Sequence, residues 1–169
     1  LFIGDAGTTE AGRPSRRYGV ECTNYYRPLP WLTFDADLSF SKARFKDDDP
    51  AGNHIPGAIE TVIAAGVAID DLKGFFGGLR VRYFGPRPLI EDDSVRSSST
   101  TLLNADIGYK LRDDLRLGVE IFNLLDSEDS DIEYFYASRL AGEPAAGVDD
   151  IHFHPVEPRS ARVTLSLSF

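Results

Sequence analysis

The sequence predicts an all-β fold, an antiparallel up-and-down transmembrane β-barrel, and three observations predict it. Apolar residues recur at every second position in segment after segment, which is the period of strands with one apolar and one polar face. Helical periodicity is almost absent. The connections between the alternating segments are by turns short and long, the habit of outer-membrane barrels with short turns on one rim and long loops on the other.

The clearest strand sets Leu32, Phe34, Ala36, Leu38 and Phe40 on one face against Thr33, Asp35, Asp37, Ser39 and Ser41 on the other. The same rhythm sets Leu103, Ala105, Ile107, Tyr109 and Leu111 against Asn104, Asp106, Gly108 and Lys110, then Leu115, Leu117, Val119 and Ile121 against Arg116, Gly118 and Glu120. Arg112, Asp113 and Asp114 join these two runs as a hairpin turn. Strands are expected at 16–27, 31–46, 58–70, 74–85, 99–111, 115–125 and 159–169, with Leu1–Gly4 the end of an eighth. Short turns are expected at Pro28–Pro30, Asp70–Gly74 and Arg112–Asp114. Long loops are expected at Asp5–Ser15, Lys46–Gly57, Pro86–Ser98 and Asp126–Pro158.

These strands exceed the five or six residues usual in a soluble sandwich, and a tilted membrane strand needs about 9–11. Aromatics fall near the strand ends, Tyr25, Tyr26, Trp31, Phe75 and Phe76 toward the short turns and Tyr18, Phe45, Tyr83 and Phe84 toward the long loops. Two interfacial girdles are expected from them. The last strand alternates Ala161, Val163, Leu165, Leu167 and Phe169 with polar residues. A bare apolar edge is an aggregation hazard that barrel closure removes.

Composition narrows the function. Of 169 residues 42% are hydrophobic and the net charge is −9, a balance opposed to the phosphate-neutralising surface of a nucleic-acid binder. A single cysteine, Cys22, leaves no disulfide framework or Cys-based metal motif and reads as a small apolar strand residue. The longest apolar stretch, Val62 to Ile69, is far below the roughly 20 residues of a membrane helix. The start Leu-Phe-Ile-Gly lacks a basic leader region and the sequence lacks methionine, so a piece of a longer protein is expected.

No nucleophile with a nearby histidine, Gly-rich phosphate loop or zinc spacing is present, so neither catalysis nor a bound cofactor is expected. One constellation stands out. In Asp149-Asp-Ile-His-Phe-His154, an extended chain places His152 and His154 on one face after two carboxylates, Asp149 and Asp150, a weak candidate metal or metal-chelate site. A solvated loop is the plainer reading. The acidic groups Asp47–Asp49, Glu91–Asp93 and Ser127–Asp131 read as solvated loop charges, or as partners of ions bridging to lipopolysaccharide. Asp35, Asp37, Arg80, Arg82, Asp106 and Glu120 read as lining a polar interior.

Three segments carry a family resemblance: Arg80-Val-Arg-Tyr-Phe-Gly-Pro-Arg-Pro88, Gly118-Val-Glu-Ile-Phe-Asn-Leu-Leu-Asp126 and Pro158-Arg-Ser-Ala-Arg-Val163. Together they resemble the final strands of TonB-dependent receptors, with Leu125 in place of the usual Phe of the Asn-Leu-Phe-Asp box. The box also has a local reason, since Asn123 and Asp126 offer side-chain acceptors that end pairing and start a loop.

The resemblance implies the C-terminal third, seven or eight strands, of a plugged barrel of about 22 strands, with the plug domain and TonB box upstream. It implies an outer-membrane location, long loops outside and Phe169 on the periplasmic side. Uptake of a scarce nutrient is implied, such as a ferric siderophore or cobalamin. The partners implied are the TonB complex, the barrel assembly machinery that reads the strand ending at Phe169, and outer-membrane lipid and lipopolysaccharide. Other outer-membrane barrels, a passive porin or a barrel enzyme, are the alternative; a soluble β-sandwich binding module is the more distant one.

Overall fold

The computed structural model describes residues 2–3, 9–10 and 12–169. Among these residues there are eleven strands: β1 (Phe2–Ile3), β2 (Thr9–Glu10), β3 (Ser15–Leu29), β4 (Leu32–Phe45), β5 (Thr61–Leu72), β6 (Phe75–Phe84), β7 (Thr100–Arg112), β8 (Leu115–Phe122), β9 (Ser130–Ser138), β10 (Val148–Pro155) and β11 (Ser160–Leu167). Seven form one antiparallel sheet in the order β11-β8-β7-β6-β5-β4-β3. Each pairs with its sequence neighbour except β11, which reaches β8 after the β9–β10 hairpin.

Register makes the alternation continuous across the sheet. One row runs Cys22, Leu38, Ile63, Tyr83 and Thr101 through successive Cα partners, and another runs Phe34, Val67, Leu79, Ala105, Ile121 and Ala161. Because side chains alternate with a period of two, this alignment collects the apolar residues on one face. No second sheet covers that face among the described residues: Val20 is 69% exposed, Ile107 61% and Val163 69%. Such a face needs lipid, and the β-sandwich alternative fails here.

The short connections, centred on Pro30–Trp31, Lys73–Gly74 and Asp113–Asp114, share one end of the sheet. At Lys73–Gly74 both central residues have positive φ, 55° and 87°, and the Gly74 N–H donates to Asp71 Oδ1. This is the backbone twist that a two-residue hairpin requires. The long connections 46–60, 85–99 and 123–159 share the other end.

Four expectations change. Phe2–Ile3 pairs with Thr9–Glu10 in a separate two-stranded ladder and adds no eighth strand to the main sheet; residues 1, 4–8 and 11 lie outside the described ones. The segment 126–158, expected as loop, contains the β9–β10 hairpin, whose strands mix apolar and polar residues on both faces and so show no two-residue signal. β8 ends at Phe122, since Asn123 turns left-handed with φ 49°.

The fourth change concerns the girdles. Tyr26, Phe75, Tyr109, Tyr18 and Tyr83 lie on the apolar face, whereas Tyr25 is level with Asp35, Phe76 with Gly108, Phe84 with Val62 and Ser39, and Phe45 with Ser15. Adjacent strand residues point to opposite faces, so of the nine expected aromatics Tyr18, Tyr26, Phe75 and Tyr83 lie on the lipid-facing side, joined there by Tyr109. Phe75 and Tyr109 pack together at 4.7 Å between ring centroids. Phe76 instead lies on the polar face over Gly108, where an added Cβ would enter its ring and approach the Leu117 carbonyl at 2.8 Å.

Gly108→Ala is therefore expected to destabilise the intact protein by about 1–3 kcal/mol. Gly118→Ala, on the facing residue of β8 with the Phe76 ring 4.0 Å away, should change stability by less than about 0.5 kcal/mol. Urea unfolding in detergent checks both, and equal effects would contradict the packing.

Candidate site on the polar face and long-loop rim

The polar face is built from charges that the register brings level. Asp35, Gly66, Arg80 and Asn104 are successive Cα partners on β4 to β7. Gly66 has no side chain to separate its neighbours, so Arg80 Nη2 reaches Asp35 Oδ1 across β5 at 2.7 Å. Asp37, Ala64 and Arg82 repeat the arrangement one step nearer the rim. Toward the short turns, Asp106, Glu120 and Arg162 are level, and Arg162 Nη1 lies 3.4 Å from Glu120 Oε2. Pairs as exposed as these contribute little stability; their effect is a charged wall.

The tightest packing lies beyond the strands, at the long-loop end. Pro88 is fully buried, and Ala43, Ala58, Leu89 and Val156 are also buried, in the loops and adjoining strand ends. Glu60 is the ionic centre: its carboxylate meets Arg44 Nη1 at 3.1 Å and Arg96 Nη2 at 3.0 Å, and Arg96 also holds Asp93. Burial pushes the Glu60 carboxyl upward, but hydrogen bonds and positive charge from Arg96 and Arg44 outweigh it and hold it below the usual value. His54 bridges the same two loops, its N–H donating to the Glu91 carbonyl and its Nε2 lying 3.5 Å from Asp93. Arg13 packs over Phe45 and holds Asp47 at 2.7 Å, which keeps that carboxyl low as well.

A second knot ties the hairpin to this rim. Asn123, buried with positive φ, accepts from the Ser127 N–H and donates to the carbonyls of Ser127 and Glu157, so one side chain clamps both ends of the 127–157 excursion. Asp126, also left-handed, accepts from the Arg159 backbone and guanidinium at the entry to β11. The role expected of Asn123 and Asp126 is thus what the structure shows. From the hairpin, buried Glu133 accepts the Ser98 N–H, while Asp129 accepts the Thr101 N–H. At the hairpin's base an open depression on the polar face is lined by Leu102, Asn104, Asn123, Asp131, His154 and Glu157.

A charged inner wall, an apolar outer face and long structured loops on one rim match a known family over most of the chain. The family described as TonB dependent receptor-like, beta-barrel matches residues 4–124. The chain belongs to this TonB-dependent receptor family. Among solved structures, the closed form of the ferric-catecholate import receptor Fiu from E. coli K12 aligns with TM-score 0.71 at 21% identity, over 98% of this chain and 23% of that one. The ferric yersiniabactin uptake receptor FyuA from Yersinia pestis aligns with TM-score 0.69 at 20% identity, over 92% and 24%. The copper transporter OprC aligns with TM-score 0.65 at 17% identity, over 92% and 24%. The chain therefore spans about a quarter of the length of these receptors. No curated protein matches it.

In the receptor chain, Asp150, His152 and His154 alternate along β10 on one face of the hairpin, and Asp149 lies on the other. His152 is stacked on Tyr136 at 3.9 Å, and His154 is at the depression by Asp131. Among the described residues no three His, Cys, Asp or Glu side chains converge as a metal site. The acidic loop groups depart from the solvated reading in part, because Asp47, Asp93 and Asp129 bond to residues of other segments, while Asp49 and Asp92 accept only from backbone two residues on. The Glu60–Arg44–Arg96 centre has no sequence signal, since its members lie in three separate segments.

Because the Glu60 pKa is lowered on folding, its stabilisation is complete above the ordinary glutamate pKa and is lost as pH falls through the lowered value. Hydrogen exchange in 46–60 and 85–99 of the intact receptor should accelerate over that acid range, and Glu60→Gln should remove the carboxylate-dependent part of the response. Asn123→Ala should cost about 1–3 kcal/mol by orphaning its partners. Faster proteolysis within 127–157 is the readout, and unchanged cleavage would refute the clamp.

Proposed function

We propose that this chain is the C-terminal part of the barrel of an outer-membrane receptor that takes up a scarce nutrient, a ferric siderophore first and cobalamin second. The single observation carrying this is the preformed long-loop rim: Glu60, Arg96, Asn123 and Glu133 lock the three long connections, the last with its hairpin, beside a charged inner wall. Loops that only kept a pore soluble would not need a half-buried ionic centre or buried polar clamps. A rim ordered before binding spends less free energy on immobilisation when a ligand arrives.

On this reading the hairpin and the depression beneath it, with Asn104, Asp131 and His154, receive the substrate from outside, and the long loops are extracellular. The plug and the TonB-contacting segment lie upstream in the whole protein. The TonB complex supplies the energy that moves the plug. The alternating strand β11 is read by the barrel assembly machinery. Relatives of the fold act on ferric yersiniabactin and, in another case, copper, which supports a metal-chelate cargo.

Radio-iron uptake by cells carrying the whole gene tests the proposal with a panel of ferric siderophores, alongside labelled cobalamin. One cargo should accumulate in a TonB-dependent manner. Replacing residues 130–155 with a short Gly-Ser linker should lower its uptake at least tenfold at equal receptor level. Equal entry with and without TonB would identify a passive pore instead.

A further inference from the structure

Two buried charges of opposite sign, Arg87 at 5% exposure and Glu133 at 7%, line one cavity of about 270 Å3 between the 85–99 connection and β9. The hydrogen bonds of Arg87 are made by its backbone, whose N–H donates to Ser97 Oγ and whose carbonyl accepts the Ser97 N–H. Among the described residues no carboxylate lies within ion-pair distance of its guanidinium, and no cation lies within that distance of Glu133. Glu133 Oε2 accepts the Ser98 N–H at 3.0 Å. No side-chain nitrogen among the described residues is both sealed from the surface and unbonded, so the Arg87 guanidinium keeps access to the cavity it lines.

A charge taken out of water without a partner is costly, and opposite charges that share a cavity gain by closing on one another. These two stay apart. Asp131 lines the same cavity, which therefore presents one guanidinium and two carboxylates. A plain anion would satisfy Arg87 but face both carboxylates, and a plain cation would satisfy the carboxylates but face Arg87. A ligand carrying both charges gives each buried group a partner. Ile59, Phe84 and Ile132 make the remaining wall apolar, and Tyr134, 53% exposed, adds a ring at the border with solvent. Phe84 is level with Val62 and Ser39 and so belongs to the polar-face set, which sets the cavity beside the interior wall.

We propose that Arg87 and Glu133 bind the zwitterionic head of an α-amino acid with an apolar side chain. The planar fork of the Arg87 guanidinium takes the carboxylate through paired N–H donors. Glu133, with Asp131 beside it, takes the ammonium, and the side chain packs on Ile59, Phe84 and Ile132. The head is recognised whether the amino acid is free or forms the exposed end of a larger chelate. The site rests on the reading of the long-loop rim as the face that receives substrate, and it names the chemical group recognised there.

Calorimetric titration of the intact receptor in an uncharged detergent tests this with L-phenylalanine, 2-phenylethylamine and 3-phenylpropionate, which share a ring and differ in charge. L-Phenylalanine should bind saturably with Kd below about 10 mM, and the amine and the acid each about tenfold more weakly or worse. Glu133→Gln keeps an acceptor for the Ser98 N–H and removes only the charge, and Arg87→Met keeps an unbranched stem. Each should weaken L-phenylalanine binding about tenfold or more, whereas Arg17→Gln, which removes an exposed cation of β3, should leave it unchanged. Equal binding of the amine, equal binding of the acid, or full affinity in either cavity variant would overturn the proposal. Absence of saturable binding would make Arg87 and Glu133 an internal pair and overturn it too. The comparison of the three probes needs no variant, so it decides the matter even where a variant fails the heat-modifiable migration that verifies folding. TonB-dependent uptake of an iron chelate by a receptor that does not bind L-phenylalanine would refute this site alone. Binding of L-phenylalanine together with TonB-independent entry would refute the receptor reading alone.

Discussion

Backbone pairing in strict antiparallel succession is the constraint on which the rest of the structure depends. Within hydrocarbon every N–H and C=O must find a partner inside the protein, and a sheet does this only if each strand is matched on both sides. From β3 to β8, and then to β11, each strand lies beside the next in one register, with shifts only at the three short turns. One face is therefore apolar over the whole sheet and the other carries charge. Asp35 meets Arg80 across Gly66 only because this register holds over three consecutive strands.

The same succession sorts the connections. Reversing at every strand places all tight turns at one end, where two residues suffice, and leaves the other end free for long insertions. Those insertions do not remain loose. Pro88 and Leu89 supply a small apolar core, Glu60 gathers two arginines, and Asn123 replaces missing backbone partners at both ends of the hairpin excursion. Polar clamps of this kind carry weight where they are buried, since an orphaned group costs more than an exposed one.

The two ends therefore differ in kind. At the short-turn end, exposed pairs such as Lys110 with Asp113 and Arg112 with Asp114 decorate turns whose geometry the backbone already sets. At the long-loop end the ionic groups are the structure, joining segments distant in the chain. Cations left over on the outer surface at that end, Arg16, Lys42 and Lys46, lie next to the lipid-facing row and outside this internal network.

Much of the fold is determined by the sequence alone, because a two-residue period is a local property. Leu32 to Phe40 and Leu103 to Ile121 declare their faces without reference to any partner, and the lengths of the intervening segments declare the up-and-down order. Asn123 and Asp126 are legible for the same reason, being side chains that act on backbone a few residues away and at the next strand. Only the tertiary structure decided which aromatics meet lipid, that 130–155 is a hairpin, and that Glu60 joins Arg44 and Arg96. Those outcomes depend on register and on contacts between segments far apart in the chain, where the side chains that meet leave no pattern at any fixed spacing.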